Sequence, residues 1–243
     1  MQVQSGVRTV AAELTQALSK IFEEDVKLAA AGRTDAGVHA TGQVISFKTA
    51  RAFPFERLPI AANSILPPDI RIRTAAPVAD DFSARFSARE RTYVYAILNR
   101  ADPSALLGRY AFHYWSPIDL DVFPQAAQAL IGEHDFRSFC GMLPDSGPTI
   151  RTVNDVRAER RGEIVRIEIC ADGFLHRMVR VIVGTLLECA TGRRDPESMQ
   201  TVLDARDRSA AGITAPAQGL YLAGARYANG FDSFREPPVT GAP

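Results

Sequence analysis

An apolar stripe with spacings of three and four residues predicts an opening helix, with Thr9 as its N-cap. The stripe consists of Val10, Leu14, Leu18, Ile21 and Phe22. Alternation of apolar and polar residues then predicts short strands over residues 26–31 and 43–48, with a loop containing several glycines between them.

The middle of the chain combines proline-containing loops with further strand patterns. Residues 51–69 contain four prolines, so we expect loops and at most a short helix there. Residues 70–74 alternate as a strand. A longer strand is predicted at the end of the stretch 81–97, where Arg91, Tyr93 and Tyr95 would share one face.

The second half of the chain alternates between helix and strand patterns. Residues 101–121 are loop-rich. Helices are predicted over 123–131, 172–190 and 195–205, and strands over 153–160, 164–171 and 219–227. This order indicates an α+β fold. We expect an amino-terminal half over 1–80 that carries the loop after the first strand, a carboxy-terminal half over 81–228, and a disordered tail over 229–243.

Composition narrows the function classes only slightly. The 243 residues are 46% apolar and carry no net charge, which mildly disfavours binding to nucleic acid through overall charge but not through a local basic cluster. The three cysteines lack metal-ligand spacing and are expected as buried free thiols. No signal peptide or apolar run of about 20 residues is present, so we expect a cytoplasmic protein.

The segment GRTDAG carries the first candidate chemistry. Its two glycines permit an unusual backbone between the predicted strands, so a sheet could aim the carboxylate of Asp35. The alternative is that Asp35 makes a local Asx-turn and that Arg33 is simply solvated. The residue types alone leave both interpretations open.

A second candidate is Arg180, which lies in the apolar pattern of the predicted helix over 172–190. A half-buried arginine needs a carboxylate partner, and an aspartate on a loop from another segment would provide one. Gly184, one turn further on, leaves room for another chain segment to approach the helix. The alternative is that Arg180 reaches the surface or pairs with a structural acid.

The aromatic residues give a third candidate. Arg91, Tyr93 and Tyr95 on one strand face could form a platform for a nucleic-acid base, although a half-buried structural strand has the same pattern. Near the end of the chain, Leu220 and Leu222 share a strand face, which is typical of core packing.

Taken together, several segments resemble the TruA family of tRNA pseudouridine synthases. The segments are GRTDAGVHATGQV, FSARFSARERTYVY, GEHDFRSFC, DGFLHRMVRVIVGTLLE and QGLYLAGARY. The resemblance implies two RRM-like (ferredoxin-like) α/β halves joined in a mostly antiparallel sheet with a central RNA-binding cleft. It implies an isomerase that converts uridine to pseudouridine at positions 38 to 40 of the tRNA anticodon arm. It further implies a homodimer with no cofactor, no catalytic metal and no membrane association.

The resemblance also implies roles for individual residues. Asp35 matches the catalytic aspartate, Arg180 the arginine that pairs with it, and Tyr93 the tyrosine that stacks on the target base. Arg33 matches the neighbouring basic residue that engages RNA, and Leu220 an apolar residue that packs on the uracil. His39 and Arg177 are further expected substrate-binding residues. Arginines expected to contact phosphates are Arg33, Arg85, Arg89, Arg91 and Arg177.

Three points remain open at the level of sequence. Asp35 could attack C6 of the uracil, attack C1′ of the ribose, or remove the 2′ proton. The chain could instead be a non-catalytic RNA-binding module, or a small-molecule hydrolase that uses Asp35 with His39. The opening MQVQSGVRTV matches the end of a segment that follows the family's first strand, so we expect that strand to be absent from this chain.

Overall fold

The computed structural model describes residues 1, 6–144, 147–228 and 230–240. The chain divides into two compact units, Met1–Arg33 with Val44–Ala88 and Thr34–Gln43 with Arg89–Pro243. The loop that carries Asp35 thus belongs to the second unit, whereas the sequence placed it in an amino-terminal half that ended at residue 80. The reason is that the N–H groups of Thr41 and Gly42, in the same loop, hydrogen-bond to the carbonyl of Leu222 in the second unit.

The helices and strands are numbered along the chain. The α-helices are α1 (Val10–Phe22), α2 (Leu58–Ile65), α3 (Phe123–Gln128), α4 (Met178–Ala190) and α5 (Met199–Ala205). The strands are β1 (Ala29–Ala30), β2 (His39–Ala40), β3 (Ile45–Ser46), β4 (Ala88–Asn99), β5 (Phe112–Tyr114), β6 (Gly132–Asp135), β7 (Ile150–Arg161), β8 (Ile164–Ala171) and β9 (Leu220–Tyr227). Short 3₁₀ turns precede α2 and α5.

In the first unit, helix α1 forms as predicted. The hydroxyl of Thr9 accepts a hydrogen bond from the Ala12 N–H at 3.2 Å, which caps the helix. Its residues Leu14, Leu18 and Phe22 are buried. The short strands β1 and β3 pair antiparallel but are only two residues long each, which is less than the alternation predicted.

The strand predicted over 70–74 does not form. The side-chain amide of Asn63 donates to the carbonyl of Ile72 at 2.7 Å, and its oxygen accepts from the Ile72 N–H at 2.8 Å. These two bonds satisfy the backbone groups that a neighbouring strand would otherwise have paired. The prediction of a strand from alternation is therefore wrong, because the Asn63 side chain, and not a neighbouring strand, pairs with this backbone.

The second unit contains a mixed, mostly antiparallel sheet. Among the described residues the strand order is β2, β9, β4, β8, β7, β6, with β5 pairing β4. Pairs β4–β8, β7–β8 and β6–β7 are antiparallel, whereas β2–β9 and β4–β5 are parallel. The α+β prediction is confirmed. Strands β2, β5 and β6 were not predicted, because they have only two to four residues and little apolar alternation.

The two faces of this sheet differ in character. On β8, Ile167 and Ile169 point into an apolar core that α3 and α4 cover. Arg166 and Glu168 alternate with them and carry charge on the opposite face. Helix α4 begins at Met178 rather than at 172, because Arg177 adopts a left-handed φ of 58° that interrupts helical geometry.

The predicted disordered tail is wrong for residues 230–240. Asp232 forms a bridge with Arg226 at the end of β9. Glu236 accepts a hydrogen bond from Arg166 Nε at 2.8 Å, and this partly buried ion pair fastens the segment to the charged face of the sheet. Prolines therefore ended regular secondary structure here without preventing order. Residue 229 and residues 241–243 lie outside the described part of the chain.

The three cysteines, Cys140, Cys170 and Cys189, are free and buried, as predicted. Burial raises the pKa of the Cys170 thiol to about 12 and that of Cys189 to about 11, so both remain protonated at neutral pH.

Across the described residues, no helix has the length and apolar character that crossing a bilayer requires. The same residues contain no group of three His, Cys, Asp or Glu side chains suited to a metal ion.

Candidate active site

The loop before β2 presents Asp35 from the edge of the sheet. The Val38 N–H donates to the Asp35 carbonyl at 3.2 Å, and Gly37 takes a φ of 79°, which closes a tight turn. After β2, the N–H groups of Thr41 and Gly42 both donate to the carbonyl of Leu222 on β9. The loop is therefore tied to β9, which explains why it belongs to the second unit.

Arg180, in the first turns of α4, forms an ion pair with Asp35. Its Nη1 lies 3.0 Å from Asp35 Oδ2, so the predicted salt-bridge distance is confirmed. Its Nε donates to the carbonyl of Ala215 at 2.7 Å. The guanidinium is thus held in two directions, and only 14% of the side chain is exposed. Both partners belong to the second unit, so the pair does not link two halves as the sequence analysis expected.

Glycine makes this arrangement possible. A Cβ at Gly184 would lie 1.9 Å from the carbonyl oxygen of Ile213, so only glycine lets the chain before Ala215 rest on α4. The Ala215 N–H returns a hydrogen bond to the Arg180 carbonyl at 3.0 Å. The predicted close approach at Gly184 is confirmed, and its effect is to orient Arg180.

Two further side chains approach the carboxylate from the turn before α4. Nε of Arg177 lies 4.0 Å from Oδ2, and Nε2 of His176 lies 3.8 Å from Oδ1. The carboxylate also lies near the amino-terminal end of α4, where backbone N–H groups and the helix dipole favour negative charge. Oδ2 faces two arginines, whereas Oδ1 faces the imidazole.

Tyr93 lies close enough to this carboxylate to sense its charge, and Leu220 is a buried core residue. Tyr93 is 8% exposed, Leu220 is 5% exposed, and both belong to the core cluster beneath α4. The ring of Tyr93 packs edge-to-face on Phe174 with centroids 4.9 Å apart. Burial and the negative charge of Asp35 raise the pKa of Tyr93 to about 12, while Arg91 opposes the shift. The phenol is therefore protonated at neutral pH.

The aromatic platform predicted on β4 is smaller than expected. Tyr95 is fully buried, and its hydroxyl donates to the Pro216 carbonyl at 2.7 Å, so it is a core residue. Burial raises the pKa of Tyr95 strongly. Arg91 donates to the Asp172 carbonyl at 2.7 Å. Tyr93 is the member of the face that stands next to the carboxylate.

His39 does not join the site. It pairs in register with Tyr221 and stacks on that ring at 4.9 Å, while its Nε2 hydrogen-bonds the Arg109 carbonyl at 2.8 Å. Tyr221 packs with Ala96 and Leu98, on the face of the sheet opposite to Leu220. The expected substrate-binding role of His39 stays a prediction. Its partners here, Tyr221 and the Arg109 carbonyl, give no support to a hydrolase that pairs Asp35 with His39.

The remaining predicted residues lie at the surface. Arg33, Arg85 and Arg89 are exposed, and Arg33 and Arg85 belong to the first unit. The guanidinium of Arg85 lies 5.0 Å above the ring of Phe86. Contacts of these arginines with phosphate stay predictions.

His176 lies beside Asp35 but was not among the predicted site residues. The spacing offered a signal, since the helix predicted over 172–190 would place His176 and Arg180, four residues apart, on one face. The carbonyl of Ala215 was not predictable, because a backbone group leaves no trace in the residue types.

Comparison with known proteins identifies close similarity over most of the chain. A family model described as tRNA pseudouridine synthase matches residues 1–87 and 126–228. A tRNA pseudouridine synthase A of Halalkalibacterium halodurans is 43% identical over 230 residues, which are 94% of this chain and 88% of that protein. The proteins of the same name from Caldicellulosiruptor bescii and Moorella thermoacetica are 41% and 44% identical, over 91% and 90% of this chain and 91% and 89% of theirs.

Proposed function

Because the chain belongs to the tRNA pseudouridine synthase family, we propose that it isomerises uridine to pseudouridine at positions 38 to 40 of the tRNA anticodon arm, with Asp35 as the catalytic carboxylate. The observation that carries the assignment of Asp35 is its ion pair with Arg180 at 3.0 Å, in a setting where most of the arginine is buried. A carboxylate held this way is fixed in direction by a charge-assisted hydrogen bond.

The reaction is an exchange of bonds within one nucleotide. The N1–C1′ bond breaks, a C5–C1′ bond forms, the proton on C5 is lost, and N1 gains a proton, so no outside oxidant or group donor is needed. An ionised carboxylate supplies the nucleophile or base for this exchange. The nearest contacts of both arginines are to Oδ2, so Oδ1 is the oxygen that we propose acts on the substrate.

The neighbouring side chains have complementary roles in this proposal. Tyr93 supplies an aromatic face for the uracil while the ring is detached and turns, and Leu220 packs on the base. Arg180 positions Asp35 through its second bond to Ala215. Arg177, whose side chain is 48% exposed, is suited to a phosphate because its guanidinium borders both the carboxylate and solvent.

The target base lies within an RNA stem or loop and must be flipped out to reach Asp35, which costs a few kcal/mol. Arginine contacts to the backbone offset that cost, and Arg33, Arg85, Arg89, Arg91 and Arg177 are the proposed source. The proposed working form is a cytoplasmic homodimer that uses no cofactor.

The decisive test replaces Asp35 by asparagine, which keeps the size of the side chain and removes its charge. We expect Asp35→Asn to abolish tritium release from tRNA labelled at uridine C5, while tRNA affinity stays within about threefold because phosphate contacts dominate it. Asp25→Asn, at an exposed aspartate of the first unit, is the matched control.

Residual turnover within about tenfold of the parent would overturn the catalytic assignment of Asp35. A parent protein that binds the anticodon arm but releases no tritium would instead favour a non-catalytic RNA-binding module.

A further inference from the structure

His176 has two ring nitrogens in contrasting surroundings. Nδ1 is buried and has no hydrogen-bond partner among the described residues, whereas Nε2 points toward Asp35 Oδ1. Both side chains are partly open to solvent, at 34% exposed for His176 and 28% for Asp35. The imidazole therefore directs one nitrogen into the protein and the other into the open side of the candidate site.

The backbone fixes this orientation. The Gly141 N–H donates to the His176 carbonyl at 2.8 Å. A Cβ at Gly141 would lie 3.2 Å from His176 Nδ1 and closer still to Arg177, so the chain at Gly141 closes over the buried side of the ring. A proton on Nδ1 would leave a buried N–H without an acceptor, which is costly. The favoured neutral tautomer thus carries its proton on Nε2.

The gap between the two side chains has the size of one bridging atom. At 3.8 Å, Nε2 and Oδ1 are too far apart for a direct hydrogen bond. An oxygen placed about 2.8 Å from each would bridge them without moving either side chain. That oxygen must accept from Nε2–H and donate to the carboxylate.

Only one type of group on a uridine satisfies both demands. The uracil carbonyls accept but cannot donate, and the uracil N3–H donates but cannot accept. A hydroxyl does both. Building on the proposed function, we propose that His176 and Asp35 together bind a ribose hydroxyl of the target uridine, the 2′-hydroxyl that distinguishes RNA from DNA. His176 is then a substrate-positioning residue that holds the sugar against the catalytic carboxylate.

The test compares two anticodon stem-loops that differ only in the sugar of the target nucleotide, uridine or 2′-deoxyuridine, in equilibrium binding. The parent protein should bind the deoxy form more weakly by roughly tenfold or more, because the hydroxyl's hydrogen bonds to His176 and to Asp35 are both lost. In His176→Leu, where the hydroxyl keeps only its bond to Asp35, the preference should shrink by roughly three- to tenfold. His176→Gln, whose amide can reach the position of Nε2, should restore the preference, and His134→Leu, elsewhere in the unit, should leave it unchanged.

A preference in His176→Leu equal to that of the parent would overturn the inference, as would an absence of any preference in the parent. Because each protein is compared with itself, partial loss of folding does not alter the ratio. The proposed function is tested separately, by tritium release from the parent protein. Turnover without a preference for the hydroxyl would contradict only the role of His176. A preference for the hydroxyl without turnover would contradict only the isomerase assignment.

Discussion

At the scale of single residues, the two oxygens of Asp35 have different neighbours. Oδ2 is occupied by Arg180 at 3.0 Å, whereas Oδ1 faces the imidazole of His176. The arginine can hold the carboxylate because its Nε is engaged separately by the Ala215 carbonyl. A lysine has one charged nitrogen and cannot reproduce this fork. Oδ1, beside His176, is the oxygen that we propose contacts the substrate.

Tyr93 tests whether the aromatic ring or its hydroxyl matters. Because the pKa of Tyr93 is raised to about 12, its phenol is a weak acid at neutral pH, so we expect stacking to dominate. Tyr93→Phe should keep most tritium-release activity, and Tyr93→Ala should lose stacking worth roughly 1–3 kcal/mol, or about five- to 150-fold. If both variants are equally inactive, the hydroxyl transfers a proton and the stacking role is insufficient.

At the scale of elements, the start of α4 organises the site. The turn before it supplies His176 and Arg177, its first turns supply Arg180, and its middle accepts the segment that ends at Ala215. The hydroxyl of Thr185 accepts from the Gly212 N–H at 2.9 Å, so the segment is fastened at both ends. One helix therefore places both the charge that pairs with Asp35 and the backbone that steers it.

Gly184→Ala tests this packing. Alanine has the higher helix propensity and alone would stabilise α4 by about 1 kcal/mol. The structure predicts the opposite, because the added Cβ would meet the Ile213 carbonyl at 1.9 Å. We expect a loss of roughly 1–3 kcal/mol in the free energy of unfolding, measured in urea, together with reduced turnover as Ala215 moves away from Arg180. A variant with raised stability and full activity would contradict this account.

At the scale of the whole molecule, the end of the chain supports the loop that carries Asp35. The Ser233 hydroxyl donates to the Gly42 carbonyl and the Thr41 hydroxyl to the Arg235 carbonyl, both at 2.7 Å. Glu236 then pairs with Arg166 on the charged face of the sheet. The segment over 230–240 thus connects this face of the sheet to the loop that carries Asp35.

Glu236→Ala should loosen this connection. Arg166 is only 7% exposed and would lose the partner of its Nε, while Glu159 and Glu168 remain nearby. We expect a destabilisation of roughly 1–3 kcal/mol and faster amide exchange at residues 39–42. Glu163→Ala removes an exposed ion pair with Arg100 and should cost less than about 1 kcal/mol. Equal effects of the two substitutions would show that Glu236 does not anchor the segment.

The long elements were predictable because their patterns are local. Helix α1 with its cap and strand β8 follow from periodicity, and Arg180 was recognisable as a charge in an apolar helix that needed an acid. The strand expected over 70–74 and the tail expected to be disordered failed for one reason. In both segments, a side chain from outside decided the local structure. Asn63 hydrogen-bonds the backbone of Ile72, and Arg166 hydrogen-bonds Glu236.

Sequence by itself determined the fold class, the resemblance, and the residue types that meet at Asp35. Tertiary structure alone decided which residues from different elements lie next to one another. His39 lies only four residues from Asp35 but stacks on Tyr221 across the sheet, while His176, more than a hundred residues away, stands beside the carboxylate. The reason is physical: periodicity fixes the relative faces of residues within one element, but the pairing of β2 with β9 and the packing of α4 depend on contacts between distant segments.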